Sequence, residues 1–245
     1  MKNRLGSKDP LSVSEAAHPH DAYDTPLSLA IAICEMSQNI INHRGITDDY
    51  VILDPGCGDF GVFGFAANFV FGHRAKSIEG VDIRDVPKRR WYSRQLNETD
   101  YLKRSWNNNP SVTNPDLIIG NPPFELAEEF IRHSIANVSE RGIIMFLLRS
   151  AWATTVGRCA LTGIHRTHPF RVMFNIPKRP SWWLYKRPAT RGDRPVSTTN
   201  TVDYSVFFYT KDPAITQPEL DWIHWDINKP IENFFRTSIG LDLAY

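Results

Sequence analysis

Cysteine is scarce in this chain of 245 residues, and the three that occur lie far apart, at Cys34, Cys57 and Cys159. An odd, scattered set without a Cys-x-x-Cys pair argues against a disulfide framework and against a structural zinc site. The histidines provide no credible set of metal ligands either. We therefore expect neither disulfides nor a bound metal.

The sequence also lacks a long hydrophobic run and a recognisable targeting segment. Its longest apolar run, at 143–148, is too short to cross a bilayer. The first residues lead into polar sequence without the apolar core of a secretory signal. Apolar residues still make up 42% of the chain, which is enough to bury a sizeable core and excludes overall disorder. We expect a soluble, cytoplasmic protein with no membrane partner.

Net charge is nearly absent, at +1, but the charges are unevenly distributed. Residues 141–194 contain eleven basic residues and one acid, and residues 84–104 contain seven basic residues and three acids. Residues 195–245, in contrast, contain three basic residues and seven acids. If the fold gathers the two basic segments on one side, that surface attracts nucleic-acid phosphates. The alternative is an ordinary solvated surface with the charges spread around the molecule.

Short apolar strands alternate with helical patterns, which is typical of a mainly parallel sheet with helices on both faces. The first helix is expected to begin at Thr25 and Pro26, with Thr25 as its N-cap, and to end at Gly45. Strands are predicted at 50–53, 77–81, 116–119, 142–148, 171–176 and 204–209, and further helices at 62–71, 124–138 and 152–161. In such sheets ligands bind beyond the carboxyl ends of the strands.

The first strand runs into a glycine-rich loop, Asp54-Pro55-Gly56-Cys57-Gly58. Glycines let the backbone approach a ligand and turn into a helix, although a plain strand–helix turn would show the same residues. An acid at the start of the loop disfavours a pyrophosphate and favours a ligand that carries a cation. Asp82, after the second strand, can accept both hydroxyls of a ribose. The two loops together fit a nucleoside with a positive, amino-acid-like end, such as S-adenosylmethionine.

Asn121-Pro122-Pro123-Phe124 directly follows the third strand and is the most specific signal in the chain. The two prolines fix the backbone and remove two N–H donors. The Asn121 side-chain oxygen and the Pro122 carbonyl can therefore accept both hydrogens of one NH2 group. Holding these hydrogens localises a delocalised lone pair on nitrogen and stabilises the positive charge of the transition state. Phe124 offers a flat surface for the acceptor ring.

These motifs, in this order, resemble those of class I S-adenosylmethionine-dependent amino-methyltransferases, in particular DNA adenine-N6 methyltransferases with the gamma order of motifs. Residues 54–58 are similar to the first cofactor motif of that family, Val81-Asp82-Ile83 to the second and Asp100-Tyr101-Leu102 to the third. Residues 121–124 match its catalytic motif. Tyr23-Asp24-Thr25-Pro26 resembles a segment that contacts the methionine end of the cofactor.

The resemblance implies a Rossmann-like fold in one domain, 23–245, behind an N-terminal arm at 1–22. It implies a mostly parallel, seven-stranded sheet with an antiparallel last strand. S-adenosylmethionine is the implied cofactor, with Asp82 on its ribose and Asp100 on its adenine amine. The full implied set of cofactor residues is Tyr23, Thr25, Pro26, Asp54, Pro55, Gly56, Cys57, Gly58, Asp82, Ile83, Asp100, Tyr101 and Asn121.

A stretch at 177–182, followed by 203–208, resembles phage and prophage adenine methyltransferases. There the aromatic after Pro-Ser, here Trp182, is expected to stack on the target base opposite Phe124. This implies an enzyme of a bacterial or phage-infected cell, of the restriction-modification kind, that flips adenine out of double-stranded DNA. Small loops at 84–115, 157–170 and 184–202 would contact the DNA, with a short or relaxed recognition sequence. Arg149, which ends a strand on the ligand side, either touches DNA or caps the sheet.

Two alternatives stay open at this point. The same chemistry can serve an RNA base or the side-chain amide of a protein glutamine, because the Asn-Pro-Pro-aromatic motif also occurs in those relatives. A relative that binds nucleic acid without catalysis is the second alternative, although such a protein would be expected to lose Asn121 or the glycines. The sequence does not indicate an oligomeric state.

Overall fold

The computed structural model describes residues 25–46, 48–105, 114–178, 180–183, 197–199, 202–211, 219–226 and 229–238. The N-terminal arm, Tyr23 and most of the predicted loop at 184–202 lie outside these residues. The strands are β1 (Tyr50–Pro55), β2 (Ala75–Val81), β3 (Arg94–Leu96), β4 (Leu117–Gly120), β5 (Ile143–Arg149), β6 (Val172–Asn175), β7 (Ser181–Trp183), β8 (Ser197–Thr199), β9 (Tyr204–Thr210) and β10 (Glu219–Trp222).

The α-helices are α1 (Leu27–His43), α2 (Val62–Phe71), α3 (Ala127–Asn137), α4 (Val156–Cys159), α5 (Ile164–Thr167) and α6 (Lys229–Ser238). Short 3-10 turns precede α3, at Phe124–Leu126, and follow β5, at Ser150–Thr154. No helix of the described part combines the length and the apolar character that are needed to span a membrane.

Eight of the described strands form one sheet in the order β10-β6-β9-β5-β4-β1-β2-β3, and β7 pairs with β8 separately. All neighbours in the large sheet are parallel except β9, which runs antiparallel to both β5 and β6. The chain builds outward from β1 through β2 to β3 and then returns to place β4 on the other side of β1. The carboxyl ends of β1 and β4 therefore flank the switch point where such sheets bind ligands.

Strand β5 shows why the central strands are unbroken apolar runs in the sequence. Ile143, Met145 and Leu147 face a core that α1, α2 and α6 cover. The alternate residues Ile144, Phe146 and Leu148 face a second core that α3 covers. Because both faces of the sheet are buried, neither set of alternating side chains is polar.

The predicted fold class is confirmed, but three details of the prediction are wrong. The antiparallel strand is not the last one, because β10 adds a parallel edge strand beyond β6 and gives the sheet eight described strands instead of seven. All four residues of β10 are exposed, including the apolar Leu220 and Trp222, so its short alternation of polar and apolar residues marks no buried face. The helix predicted at 152–161 is instead a 3-10 turn followed by the single turn of α4, in a segment whose Thr154, Thr155 and Gly157 are weak helix formers.

The third error concerns the start of α1. Its N-cap is Pro26 and not Thr25, and no side chain of the cap forms a hydrogen bond. Glu232 of α6 takes that role: its Oε1 accepts hydrogen bonds from the Ser28 backbone N–H and from the Ser28 Oγ, both at 2.9 Å. The Glu232 side chain is buried. The C-terminal helix thus satisfies the backbone at the N-terminus of the first helix.

We expect Glu232→Ala to lower the free energy of unfolding by about 2 kcal/mol, because it removes two buried hydrogen bonds to a carboxylate. Ser28→Ala, which removes only the hydroxyl donor, should cost about half as much. Urea denaturation of both variants measures this, with Glu219→Ala on the exposed edge strand as the matched control. A Glu232→Ala protein that unfolds at the same urea concentration as the control would contradict the capping role.

Candidate active site

The glycine-rich loop after β1 folds directly onto the end of β2. The backbone N–H groups of Gly56 and Cys57 donate to the Val81 carbonyl at 2.7 and 2.9 Å. The Gly58 N–H donates to the Asp82 carboxylate at 2.8 Å. Gly56 has a φ of +79°, which favours glycine, and a Cβ placed there would meet no atom within 4 Å. The loop therefore presents open backbone on one side while the opposite side is fixed to β2.

Asp54 lies beneath this loop and is buried. The Tyr92 hydroxyl donates to its Oδ2 at 2.5 Å. Burial raises the pKa of Asp54 from 3.8 to about 7, whereas the Tyr92 hydrogen bond opposes that rise. The neighbouring Cys57 thiol is buried as well, and its pKa is raised mainly by burial, so it is not a reactive thiolate.

Asp82 ends β2 with a buried carboxylate that is already held in a fixed orientation. In addition to the Gly58 bond, its Oδ1 accepts from the backbone N–H and the Nε of Arg84 at 2.9 and 3.0 Å. Arg84 also approaches Asp59, directly after the glycine-rich loop, at 3.5 Å. Ile83, between Asp82 and Arg84 in the sequence, is 56% exposed. An exposed aliphatic surface beside a buried acid matches the purine and ribose of a nucleoside in chemical character.

The third predicted cofactor segment lies past β3. The Asp100 carboxylate accepts from the Leu102 N–H at 3.0 Å and pairs with Lys103 at 3.1 Å. Tyr101 is buried in the core beneath α3, where its hydroxyl bonds to the Ser134 hydroxyl at 2.7 Å. The Tyr101 ring is thus occupied in packing, whereas Asp100 is half-buried at the surface.

The Asn121–Phe124 turn directly adjoins the glycine loop. A Cβ placed on Gly120 would lie 3.2 Å from the Asp54 Oδ1 and 3.5 Å from the Pro55 carbonyl oxygen, so no larger residue fits between the two motifs without a shift. The Asn121 Oδ1 is buried. The Pro123 carbonyl accepts from the Leu126 N–H at 3.0 Å. The Pro122 carbonyl receives no hydrogen bond within the described chain and remains available as an acceptor.

Phe124 is half-buried at the end of this turn. The centroid of its ring lies 5.8 Å from that of Tyr204 in β9. The guanidinium carbon of Arg149, at the carboxyl end of β5, lies 4.9 Å from the Phe124 centroid. The side chain of Trp182, the predicted partner of Phe124 in base stacking, lies outside what the structure describes, as does Tyr23.

Thr25, next to Pro26, completes the described part of the candidate site. It is buried, and its Oγ1 has no hydrogen-bond partner among the described residues. An unsatisfied buried hydroxyl is unfavourable unless a ligand or another chain segment supplies the bond. Pro26 itself is buried and is the N-cap of α1.

Sequence reasoning missed Tyr92, Arg84 and the contact of Arg149 with Phe124. Tyr92 is 38 residues from Asp54, and nothing in the sequence around it distinguishes it from the other buried aromatic residues. Arg84 could have been noted because it stands two residues after Asp82, within reach of that carboxylate.

Comparison with protein-family models and with curated proteins gives no match. Solved structures do match. A Listeria monocytogenes protein designated a class I S-adenosylmethionine-dependent methyltransferase is 15% identical with a TM-score of 0.58, over 89% of this chain and 71% of that one. The type I restriction-modification methyltransferase subunit of Streptococcus thermophilus is 12% identical with a TM-score of 0.58, over 88% of this chain and 53% of that one.

A third match is to the DrdV–DNA complex, with 12% identity and a TM-score of 0.53. It covers 90% of this chain but only 29% of that one, so this chain spans a minor part of the larger protein. These similarities establish the fold: it is that of the class I S-adenosylmethionine-dependent methyltransferases. The carboxyl edge at β1, β2 and β4 is where that fold binds its ligands.

Proposed function

We propose that this chain binds S-adenosylmethionine and methylates the exocyclic N6 of adenine in double-stranded DNA. The observation that carries the proposal is the turn after β4. There a buried amide oxygen of Asn121 and an available Pro122 carbonyl adjoin the loop of Asp54. Two acceptors in a rigid turn are suited to hold both hydrogens of an NH2 group.

The residues present fit the cofactor. The exposed Ile83 would lie against the adenine, Asp82 would accept the ribose hydroxyls, and Asp100 would accept the adenine amine. Asp54 and the buried Thr25 hydroxyl would face the charged methionine end. When bound, S-adenosylmethionine supplies an electrophilic methyl group on a positively charged sulfur.

The acceptor is held by this chain's own residues. Phe124 would stack on the flipped adenine, with Trp182 on the other side of the base, and stacking of about 1–3 kcal/mol per base offsets the cost of leaving the duplex. Asn121 and Pro122 would then hold the N6 hydrogens and stabilise the charge that develops on nitrogen. No general base is required before attack, because the proton can leave to solvent afterwards.

One observation favours DNA as the acceptor over RNA and protein, and a second favours a nucleic acid over a protein amide. The structural matches include a restriction-modification methyltransferase subunit and a protein solved in complex with DNA. In addition, Arg149 places a positive charge at the ring of Phe124, where a nucleotide would bring a phosphate.

The proposal is tested by incubating the purified protein with methyl-tritiated S-adenosylmethionine and, separately, duplex DNA, RNA and protein. We expect label in the DNA alone. Label only in RNA or only in protein would show that the acceptor is not DNA, although the methyl transfer to an NH2 group would stand. Binding of DNA without label in any acceptor would indicate the non-catalytic alternative.

A further inference from the structure

Arg149 is an exposed arginine at the carboxyl end of β5, beside the turn that carries Phe124. Strand β5 pairs directly with β4, so the ends of both strands lie on the same edge of the sheet. A cation this close to an aromatic face is held by the charge distribution of the ring. The Phe124 ring therefore positions a side chain that would otherwise move freely in solvent.

Within the described part of the chain, the charge of Arg149 is not neutralised by an ion pair with a carboxylate. Three other arginines differ in this respect, because Arg84 pairs with Asp82, Arg74 with Asp48 and Arg132 with Glu128. An ordered guanidinium without an acid is suited to an anion supplied by a ligand, and its planar donors match a phosphate.

We propose that Arg149 is a DNA-binding residue that holds a backbone phosphate of the nucleotide whose base stacks on Phe124. This rests on the proposed function and adds a residue to it. On binding, the guanidinium exchanges its contact with the ring for the phosphate, which also uncovers ring surface for the base. Arg149 would thereby couple capture of the backbone to placement of the base.

Arg141 provides a matched control near the opposite end of β5. It lies just before β5 begins and is exposed, and its guanidinium approaches the Gly45 carbonyl at 3.4 Å. Arg141 belongs to the basic segment 141–194, as Arg149 does. The fold, however, places Arg141 at the amino end of β5, on the edge of the sheet opposite Phe124. Arg141→Gln and Arg149→Gln therefore remove the same charge from opposite ends of one strand.

The experiment measures the affinity of each variant for a short fluorescein-labelled duplex between about 50 and 200 mM salt, together with methyl transfer to the same duplex. For Arg149→Gln we expect a KM for DNA about tenfold higher. We also expect the slope of log affinity against log salt to fall by about 0.9, the value for one phosphate contact. Arg149→Lys should retain the slope, because it retains the charge. Arg141→Gln should match the unaltered protein.

The outcomes separate the two proposals. If the unaltered protein transfers no methyl group to DNA, the proposed function and the role of Arg149 both fail. If it methylates DNA but Arg149→Gln has the same salt slope and KM as Arg141→Gln, only the assignment of Arg149 is overturned. A higher KM for Arg149→Gln with an unchanged salt slope would also overturn it. Such a result would indicate a purely structural role, which does not alter the number of phosphates contacted. Thermal melting of each variant confirms that the fold is retained.

Discussion

Replacing Asn121 with alanine is expected to lower kcat by about 100- to 1000-fold. In the proposed mechanism the side chain supplies one of two acceptors for the NH2 hydrogens, and loss of one preorganised group that stabilises transition-state charge typically costs that much. Affinity for S-adenosylmethionine should change far less, because Asp54 and Asp82 remain. Single-turnover methyl transfer, with the cofactor affinity measured separately, distinguishes the two effects.

Asn121→Asp and Asn68→Ala are the informative companions to this variant. The aspartate retains an oxygen at the same place and should keep more activity than alanine does. Asn68 is exposed on α2, away from the turn, so its replacement should leave kcat unaltered. If Asn121→Ala turned over as fast as Asn68→Ala, the Asn-Pro-Pro turn would not be the catalytic element.

The second large effect concerns pH and Asp54. Because burial raises the pKa of this carboxyl to about 7, it is largely protonated below that pH in the free protein. In the proposed site, only the ionised form attracts the positive methionine end of the cofactor. We therefore expect affinity for S-adenosylmethionine to fall about tenfold for each pH unit below 7. Above about 8 it should fall again, as the α-amino group of the cofactor loses its charge. Isothermal titration across this range measures both limbs.

Two variants assign the acidic limb to Asp54. Asp54→Asn should weaken binding and abolish the dependence below pH 7. Tyr92→Phe removes the hydroxyl that donates to Asp54, and since that bond lowers the pKa of the carboxyl, its loss should move the limb to higher pH. A profile that is identical in all three proteins would show that Asp54 does not meet the cofactor's charge.

The strands that position the site could be predicted because their signals are local. β1, β2, β4 and β5 are apolar runs that stop at polar or turn-forming residues, and each predicted strand ends within two residues of the observed one. Asp54, Asp82 and Asn121 could be singled out for the same reason: they stand where these runs stop. Their gathering at one edge follows from the parallel arrangement alone.

The contacts that hold the site in place could not be predicted in this way. Glu232 caps α1 across 204 residues, and Tyr92 reaches Asp54 across 38. Such pairs depend on how the elements pack, and neither residue stands in a pattern that distinguishes it from its neighbours. Likewise β10 could not be recognised, because it is only four residues long and its two apolar residues, Leu220 and Trp222, lie exposed on an edge strand that is paired on one side. Local patterns thus indicate the chemistry of the site, and long-range packing determines its support.

The most direct test of the account identifies the methylated atom. Duplex DNA labelled by this protein with methyl-tritiated S-adenosylmethionine would be digested to nucleosides and separated by chromatography. We predict that the label co-migrates with N6-methyl-2′-deoxyadenosine and is absent when Asn121→Ala replaces the unaltered protein. Label that elutes with a methylated cytosine, or label that persists undiminished with Asn121→Ala, would contradict the account.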